Sequence, residues 1–338
     1  MVLTAAAQQR RRRILGLLVL VAVVAVCCVA SVAVGAKAIP VDLVWKALTA
    51  PAGAEEDIIV QSVRLPRTAL GLLAGAALGL AGALIQGHTR NPLADPGLLG
   101  VNIGASTGVV VAVALFGIGN ALGYVWFAFA GAAGVSVVVY LIGSAGRAQS
   151  PDRMVLAGAA VAAVLGAFTS ALLLIDPLTF DQFLNWVVGA LAGRDITVLA
   201  QLAPFFVVGS LLALGLGRAL NTVALGDEAG RALGLHLVRT RVLGVIGVTL
   251  LCGAATAAVG PIAFLGLTVP HIARTVTGPD HRWLLPYAML ISPTLLLTAD
   301  ILGRVLVRPS EIEVGIVVTA LGAPVFVALC RRRRLIQL

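Results

Sequence analysis

Long apolar runs almost free of charge, separated by short segments rich in arginine, glycine and proline, occupy most of this chain. A helix must extend across about 30 Å of hydrocarbon to span a membrane, and ten of the runs approach or exceed that length. They cover residues 14–36, 67–87, 98–118, 121–143, 154–175, 196–216, 242–260, 261–274, 284–305 and 313–330. The eighth run is short, and its boundary at Gly260-Pro261 is weak. The pattern predicts an all-α polytopic membrane protein with about ten transmembrane helices, in which residues 1–338 form one transmembrane domain.

The second run has a composition that favours close helix packing, because glycines recur along it among alanines. These glycines are Gly71, Gly75, Gly79 and Gly82. The run ends at the sequence NPLADP, residues 91–96. Asn91-Pro92 disfavours helical geometry, and Asp95 is a capping residue directly before Pro96. The segment therefore predicts a turn that sets the angle between two helices, the second starting near Gly97.

The distribution of basic residues predicts the orientation in the membrane. The chain has 24 basic and 15 acidic residues, and most of the basic ones fall at the termini and in alternate loops. By the positive-inside rule those loops are cytoplasmic. The basic residues assigned to the inner side are Arg10, Arg11, Arg12, Arg13, Arg90, Arg147, Arg153, Arg218, Arg231, Arg239, Arg241, Arg274, Arg282, Arg331, Arg332, Arg333 and Arg334. Both termini are thus predicted to be cytoplasmic, with residues 1–13 as a basic N-terminal segment, and no groove for nucleic acid is indicated.

A longer pattern around the turn, GALIQGHTRNPLADPGLLGVNIGA, resembles the signature of the FecCD-type permease family. These proteins are the membrane subunits of type II ABC importers for iron-siderophores, heme and cobalamin. The matching turn residues are Asn91, Pro92, Ala94, Pro96 and Gly100. Two later segments, residues 260–286 and 299–326, extend the likeness. It implies the type II importer permease fold in a bacterial plasma (inner) membrane, with an iron-siderophore as cargo, or next a heme or a cobalamin.

The largest predicted inner loop, residues 217–241, has the pattern of short helices. Carboxylates at its helical start, after Gly226, offset the helix dipole, and Gly234 stops the helix, after which a second short helix is expected. From the residues alone, a solvated loop is the alternative. The resemblance implies a cytoplasmic coupling element that contacts the ATPase. It assigns to that element Gly226, Asp227, Glu228, Ala229, Leu233 and Gly234.

Three arginines mark the outer ends of two runs: Arg64 and Arg67 at the second, and Arg304 at the ninth. Long cationic side chains at helix ends commonly extend to lipid headgroups, which is one interpretation. The resemblance implies another, that all three dock acidic residues of an extracytoplasmic binding protein. Asp300 is the one carboxylate well inside an apolar run. Because Arg304 follows it at i+4, a helix-surface ion pair is predicted in preference to a proton relay.

Motifs for catalysis and for nucleotide binding are missing from the sequence. The only lysines, Lys37 and Lys46, are each followed by alanine, which excludes a P-loop. There is no HExxH motif, and the four cysteines show no CxxC spacing, so we expect no catalytic residue, no metal site and no bound cofactor.

The resemblance implies that cytoplasmic ABC ATPase subunits use ATP and Mg²⁺, that a second permease subunit, identical or related, pairs with this chain, and that a binding protein delivers the substrate. Membrane lipid surrounds such a protein. The rival function is a secondary transporter driven by an ion gradient, for which Asp300 is the one candidate ion site.

Overall fold

The computed structural model describes residues 2–144 and 151–331. Arg147, Arg332, Arg333 and Arg334, which the charge pattern assigns to the inner side, lie outside these residues. All regular secondary structure in the described ranges is helical. The predicted all-α class is therefore confirmed.

Ten helices correspond to the ten predicted spans, and five short helices lie between them. The ten are α1 (Val2–Ala33), α4 (Leu65–Thr89), α5 (Val101–Phe116), α6 (Ala121–Ser144), α7 (Pro151–Ile175), α9 (Ile196–Gly215), α12 (Leu237–Val259), α13 (Leu265–Thr277), α14 (His281–Leu306) and α15 (Val314–Arg331). The short ones are α2 (Val41–Thr49), α3 (Glu55–Ile58), α8 (Pro177–Val187), α10 (Gly217–Ala224) and α11 (Asp227–Ala232). A π-helical segment, Ile59–Arg64, joins α3 to α4.

Within the described residues, seven helices are long and apolar enough to cross a membrane. They are α1, α3 continued into α4, α6, α7, α9, α12 and α14. The eighth predicted span is short, as expected, but it starts later than predicted: α13 has 13 residues and begins at Leu265. Its late start has a local cause: Gly260 has a φ of +81° and Phe264 a φ of +65°, so the chain between α12 and α13 is not helical. The predicted number of about ten transmembrane helices is therefore approximately right.

Helix α4 lies at the centre of the bundle, where it packs against α9, α12, α13 and α14. Its glycines make this possible, as the sequence predicts. A Cβ atom at Gly75 would lie 2.6 Å from the Cα atom of Pro293, and one at Gly82 would lie 1.9 Å from the carbonyl oxygen of Gly266. Both distances are far below van der Waals contact, so neither position can hold a larger residue without moving a neighbouring backbone.

The turn after α4 has the predicted caps. Arg90 ends the helix with a φ of +52°, and the Asn91 side chain accepts a hydrogen bond from the Leu93 amide at 2.9 Å. Asp95 accepts one from the Gly97 amide at 2.8 Å and opens a 3-10 turn, Pro96–Leu99. The next regular helix, α5, begins only at Val101, after Gly100 in a left-handed conformation.

The bundle has two ends, which we name after helices that lie there. The α2 end carries α2, α8 and the turn between α14 and α15. The α11 end carries α10, α11, the turn after α4 and the start of α14. Hydrogen bonds place the start of α1 at the α11 end, since Arg13 donates to the Thr277 carbonyl oxygen, and its last turn at the α2 end, since Arg304 donates to the Ser31 carbonyl oxygen.

Candidate functional site

The predicted coupling element is a pair of short helices at the α11 end. Gly226, with a φ of +102°, precedes α11, and Gly234, with a φ of +78°, follows it, so both predicted boundaries of this helix are confirmed. The expected second short helix after Gly234 is wrong. The short partner helix, α10, precedes α11, and after His236 the chain enters the long helix α12 directly.

The surface of this element carries exposed apolar side chains and charges of both signs, with Arg218 and Arg231 exposed as well as Glu228. Leu225 and Leu233 are 64% and 67% exposed, and Glu228 beside them is exposed as well. Gly226, Asp227 and Ala229 are half-buried, whereas Gly234 is exposed. Large apolar side chains held out at a helix pair favour contact with another protein.

Asp227 links α11 to two long helices. One oxygen of its carboxylate lies 3.3 Å from Arg90 Nη2, at the end of α4, and the other accepts a hydrogen bond from Arg241 Nη2 in α12 at 2.7 Å. Asp227 therefore joins α11 to the central helix of the bundle as well as to α12.

Asp280 makes the second link, between α10 and α14. It caps α14 and accepts hydrogen bonds from the Arg282 side chain, at 2.9 to 3.2 Å, and from Asn221 Nδ2 of α10, at 2.6 Å. The Asn221 side-chain oxygen in turn accepts from the His281 amide at 2.8 Å. The Arg282 and Asn221 hydrogen bonds lower the pKa of Asp280 to about 2, so the carboxylate stays charged.

A buried ionic cluster lies at the α2 end and joins α1, α4 and α14. Asp300 is fully buried and accepts hydrogen bonds from Arg67 Nη2 at 2.7 Å and from Arg304, one helical turn further on. Arg67 also pairs with Glu311 at 2.5 Å. The predicted pair of Asp300 with Arg304 exists, but its predicted place on the helix surface is wrong, since Arg67 of the neighbouring helix covers it.

Arg64 and Arg304 also contact backbone carbonyl groups at this end, and Arg304 donates to the Ser31 hydroxyl at 2.7 Å. Arg64 donates to the carbonyl oxygens of Val32, at 2.9 Å, and Ala33, at 2.8 Å, in the last turn of α1. Arg304 donates to the Ser31 carbonyl oxygen at 2.8 Å. Helix ends leave such carbonyl groups without partners, and cations are favoured there.

These contacts rule out the interpretation of the three arginines as side chains that extend into the headgroup region. Arg64, Arg67 and Arg304 are only 3%, 4% and 1% exposed. Their role in docking a binding protein stays a prediction. What the structure shows is that they hold α1, α4 and α14 together at the α2 end.

Sequence reasoning missed Asn221 and Asp280. The N-cap position of Asp280 is visible in the sequence, since the residue stands directly before the apolar run of α14. Nothing local indicates its contact with Asn221, which lies 59 residues earlier.

Comparison with known proteins agrees with this architecture. The model of the FecCD transport family matches residues 22–332. The ferric enterobactin transport system permease protein FepD of Escherichia coli K12 is 50% identical over 305 residues, which cover 90% of this chain and 91% of FepD. The cobalamin import system permease protein BtuC of Halobacterium salinarum is 38% identical, over 90% of this chain and 85% of BtuC.

A solved structure shows the same fold. It is an inward-facing conformation of a metal-chelate type ABC transporter, which superposes with a TM-score of 0.82 at 28% identity. The match covers 94% of this chain and 98% of the other.

Proposed function

Because the chain belongs to the FecCD transport family, and is therefore a multi-pass permease subunit of an ABC importer, we propose that its cargo is a ferric siderophore. The observation that carries this proposal is the 50% identity to a ferric enterobactin permease along nine-tenths of the chain. Relatives at lower identity carry other chelates by name, among them ferric dicitrate (36%) and cobalamin (38%). A heme or a cobalamin is accordingly the next candidate.

We further propose that α10 and α11 receive the movement of a cytoplasmic ATPase subunit, which binds ATP and Mg²⁺ in place of this chain. The exposed Leu225, Glu228 and Leu233 would lie against the ATPase. Asp227 and Asp280 would pass the movement on, the first to α4 and α12 and the second to α14. In this arrangement residues 217–241 face the cytoplasm, and both termini lie on that side.

The opposite, α2 end is the proposed landing surface for an extracytoplasmic binding protein. Since Arg64, Arg67 and Arg304 are buried, we propose that they act by fixing the shape of this surface. Glu311, which is 30% exposed and pairs with Arg67, and the exposed Arg308 are charged groups at this end that solvent reaches. Reversing the charge at Arg308 should then change capture of the binding protein without loss of stability. Reversing the charges at Arg64 and Arg67 should impair both the capture and the stability of this chain.

A second permease subunit is proposed to cover apolar side chains that this chain leaves open. On α7, Leu174 and Ile175 are 86% and 78% exposed, and on α15, Ile316 and Leu321 are 53% and 54% exposed. Lipid covers whatever the second subunit does not.

Reconstitution in proteoliposomes tests the cargo and the energy source together. The vesicles would contain this chain with its ATPase, and uptake of a ⁵⁵Fe-labelled catecholate siderophore would be measured with binding protein and ATP present. We expect uptake that stops when ATP, the ATPase or the binding protein is omitted. Uptake of cobalamin or heme but not of the siderophore would refute the cargo, and uptake by this chain alone under an ion gradient would refute ATP-driven import.

A further inference from the structure

A basic groove lies between α1 and α14 at the α11 end, outside the coupling element and the buried ionic cluster. Its volume is 560 Å³. Its lining includes Arg10, Arg13 and Leu17 from α1 and Arg282, Trp283 and Pro286 from α14. The groove lies where both helices enter their apolar runs, which begin at residues 14 and 284. It is therefore at the level of the lipid headgroups.

Close packing of α1 on α14 holds the groove in shape. A Cβ atom at Gly16 would lie 2.2 Å from the Tyr287 hydroxyl oxygen, and that hydroxyl donates to the Arg13 carbonyl oxygen at 2.8 Å. The Arg13 guanidinium donates to the Thr277 carbonyl oxygen at 2.6 Å and lies 5.8 Å from the centre of the Trp283 ring. One wall of the groove is thus fixed by three separate contacts, so a ligand meets a preformed surface.

The charge of the groove is only partly balanced. Three guanidinium groups, of Arg10, Arg13 and Arg282, face one carboxylate, that of Asp280, which lies 2.9 Å from Arg282 Nη2 and 3.8 Å from Arg13 Nη1. Arg13 Nε is buried and has no hydrogen-bond partner in the described part of the chain. An anion with several acceptor oxygens would supply both the missing negative charge and a hydrogen-bond acceptor for Arg13 Nε.

We propose that this groove binds the phosphate headgroup of an anionic phospholipid. Guanidinium groups match the oxygens of a phosphate in pairs, and basic pockets between membrane helices suit anionic lipid headgroups. Below the guanidinium groups the groove is apolar, with Leu17 and Pro286 as its floor. The adjoining face of α1 continues this apolar surface, since Leu18 and Val21 are 61% and 52% exposed. A free phosphate ion would contact only the guanidinium groups. A phospholipid would contact them with its headgroup and the apolar surface with its acyl chains.

The test is lipid binding to the delipidated complex, measured by native mass spectrometry during titration with phosphatidylglycerol or with phosphatidylcholine of the same acyl chains. The test variant is Arg10→Gln with Arg282→Gln, which leaves the contacts of Arg13 intact. The control variant is Arg11→Gln with Arg12→Gln. It removes the same total charge, here from α1 alone, at exposed residues that do not line the groove. Thermal unfolding of both variants checks that the fold is kept.

We expect the unmodified protein to prefer phosphatidylglycerol, and the test variant to bind it about 30-fold more weakly, since each basic residue near a membrane surface contributes about fivefold. The control variant should change this affinity less than about threefold. Equal losses in the two variants, equal binding of the two lipids, or complete displacement of the lipid by millimolar inorganic phosphate would each overturn the proposal. None of these outcomes depends on which chelate is transported.

Discussion

The buried ionic cluster at the α2 end allows a quantitative prediction for Asp300→Asn. The carboxylate is fully buried and serves Arg67 of α4 and Arg304 of α14, which are 4% and 1% exposed. Asparagine has nearly the same shape, so the substitution removes the charge and leaves the packing. Arg67 keeps Glu311, but Arg304 then has as acceptors only the carbonyl oxygens of Ser31 and Val34 and the Ser31 hydroxyl. Breaking a buried ion pair in this way costs about 3 to 5 kcal/mol.

The assay is the free energy of unfolding in mixed detergent and denaturing-detergent micelles. We expect Asp300→Asn to lose about 3 to 5 kcal/mol, and the matched change at the exposed residue Asp181 to stay within about 0.5 kcal/mol. Adding Arg67→Met should cost less than the sum of the two single changes, by about 1 to 3 kcal/mol, because each single change already breaks the same contact between Arg67 and Asp300.

Two results would refute this reasoning. If Asp300→Asn unfolds within about 0.5 kcal/mol of the parent protein, the carboxylate does not hold the helices together. If the variant keeps full stability and yet loses transport, Asp300 takes part in the transport step itself, as the rival function of an ion-driven transporter requires. A loss of stability with transport reduced in proportion to the folded protein supports the structural role.

Three further predictions concern packing, coupling and pH. Gly82→Val should prevent α4 from packing on Gly266 and lower the yield of folded protein sharply. Gly134→Val should be tolerated, because a Cβ atom at Gly134 would meet open space. Size-exclusion chromatography measures the yield of folded protein for both variants. Asp227→Asn should lower siderophore uptake per ATP hydrolysed about threefold or more while the protein stays folded, since this half-exposed ion pair contributes only about 0.2 to 1 kcal/mol. The pKa of Asp280 is lowered to about 2, so the stabilisation by its carboxylate is present above pH 4 and is lost as the pH falls towards 2. The difference in unfolding temperature between Asp280→Asn and the parent protein should therefore be constant from pH 5 to 8.

Features set by neighbouring residues could be predicted from the sequence. The close approach at Gly75 and the caps at Asn91 and Asp95 depend on residue types within a few positions, and all of them are present in the structure. The short helix α11 between two glycines is another example. Hydrophobic periodicity also located a helix for each predicted span. It could not show that α13 starts late, because the left-handed conformation of Phe264 has no sequence signal.

Features that depend on distant residues could not be predicted. Arg67 and Asp300 are 233 residues apart, so the sequence shows two charged residues near helix ends without showing that they are partners. The partners of Arg64 could not be predicted either. It donates to backbone carbonyl oxygens of α1, and every residue has such an oxygen. Burial of these arginines follows from the packing of three helices, which periodicity alone does not define.

The two ends of the bundle differ in how firmly they are held, and this difference bears on how a transporter can move. At the α2 end the ionic contacts of Asp300 are buried, and breaking them costs several kcal/mol. At the α11 end Asp227 is 31% exposed and its partner Arg90 37% exposed, so water can replace the contact between them at a cost of about 1 kcal/mol or less. The energy of ATP binding by a partner would therefore rearrange the α11 end first, while α1, α4 and α14 stay joined at the other end.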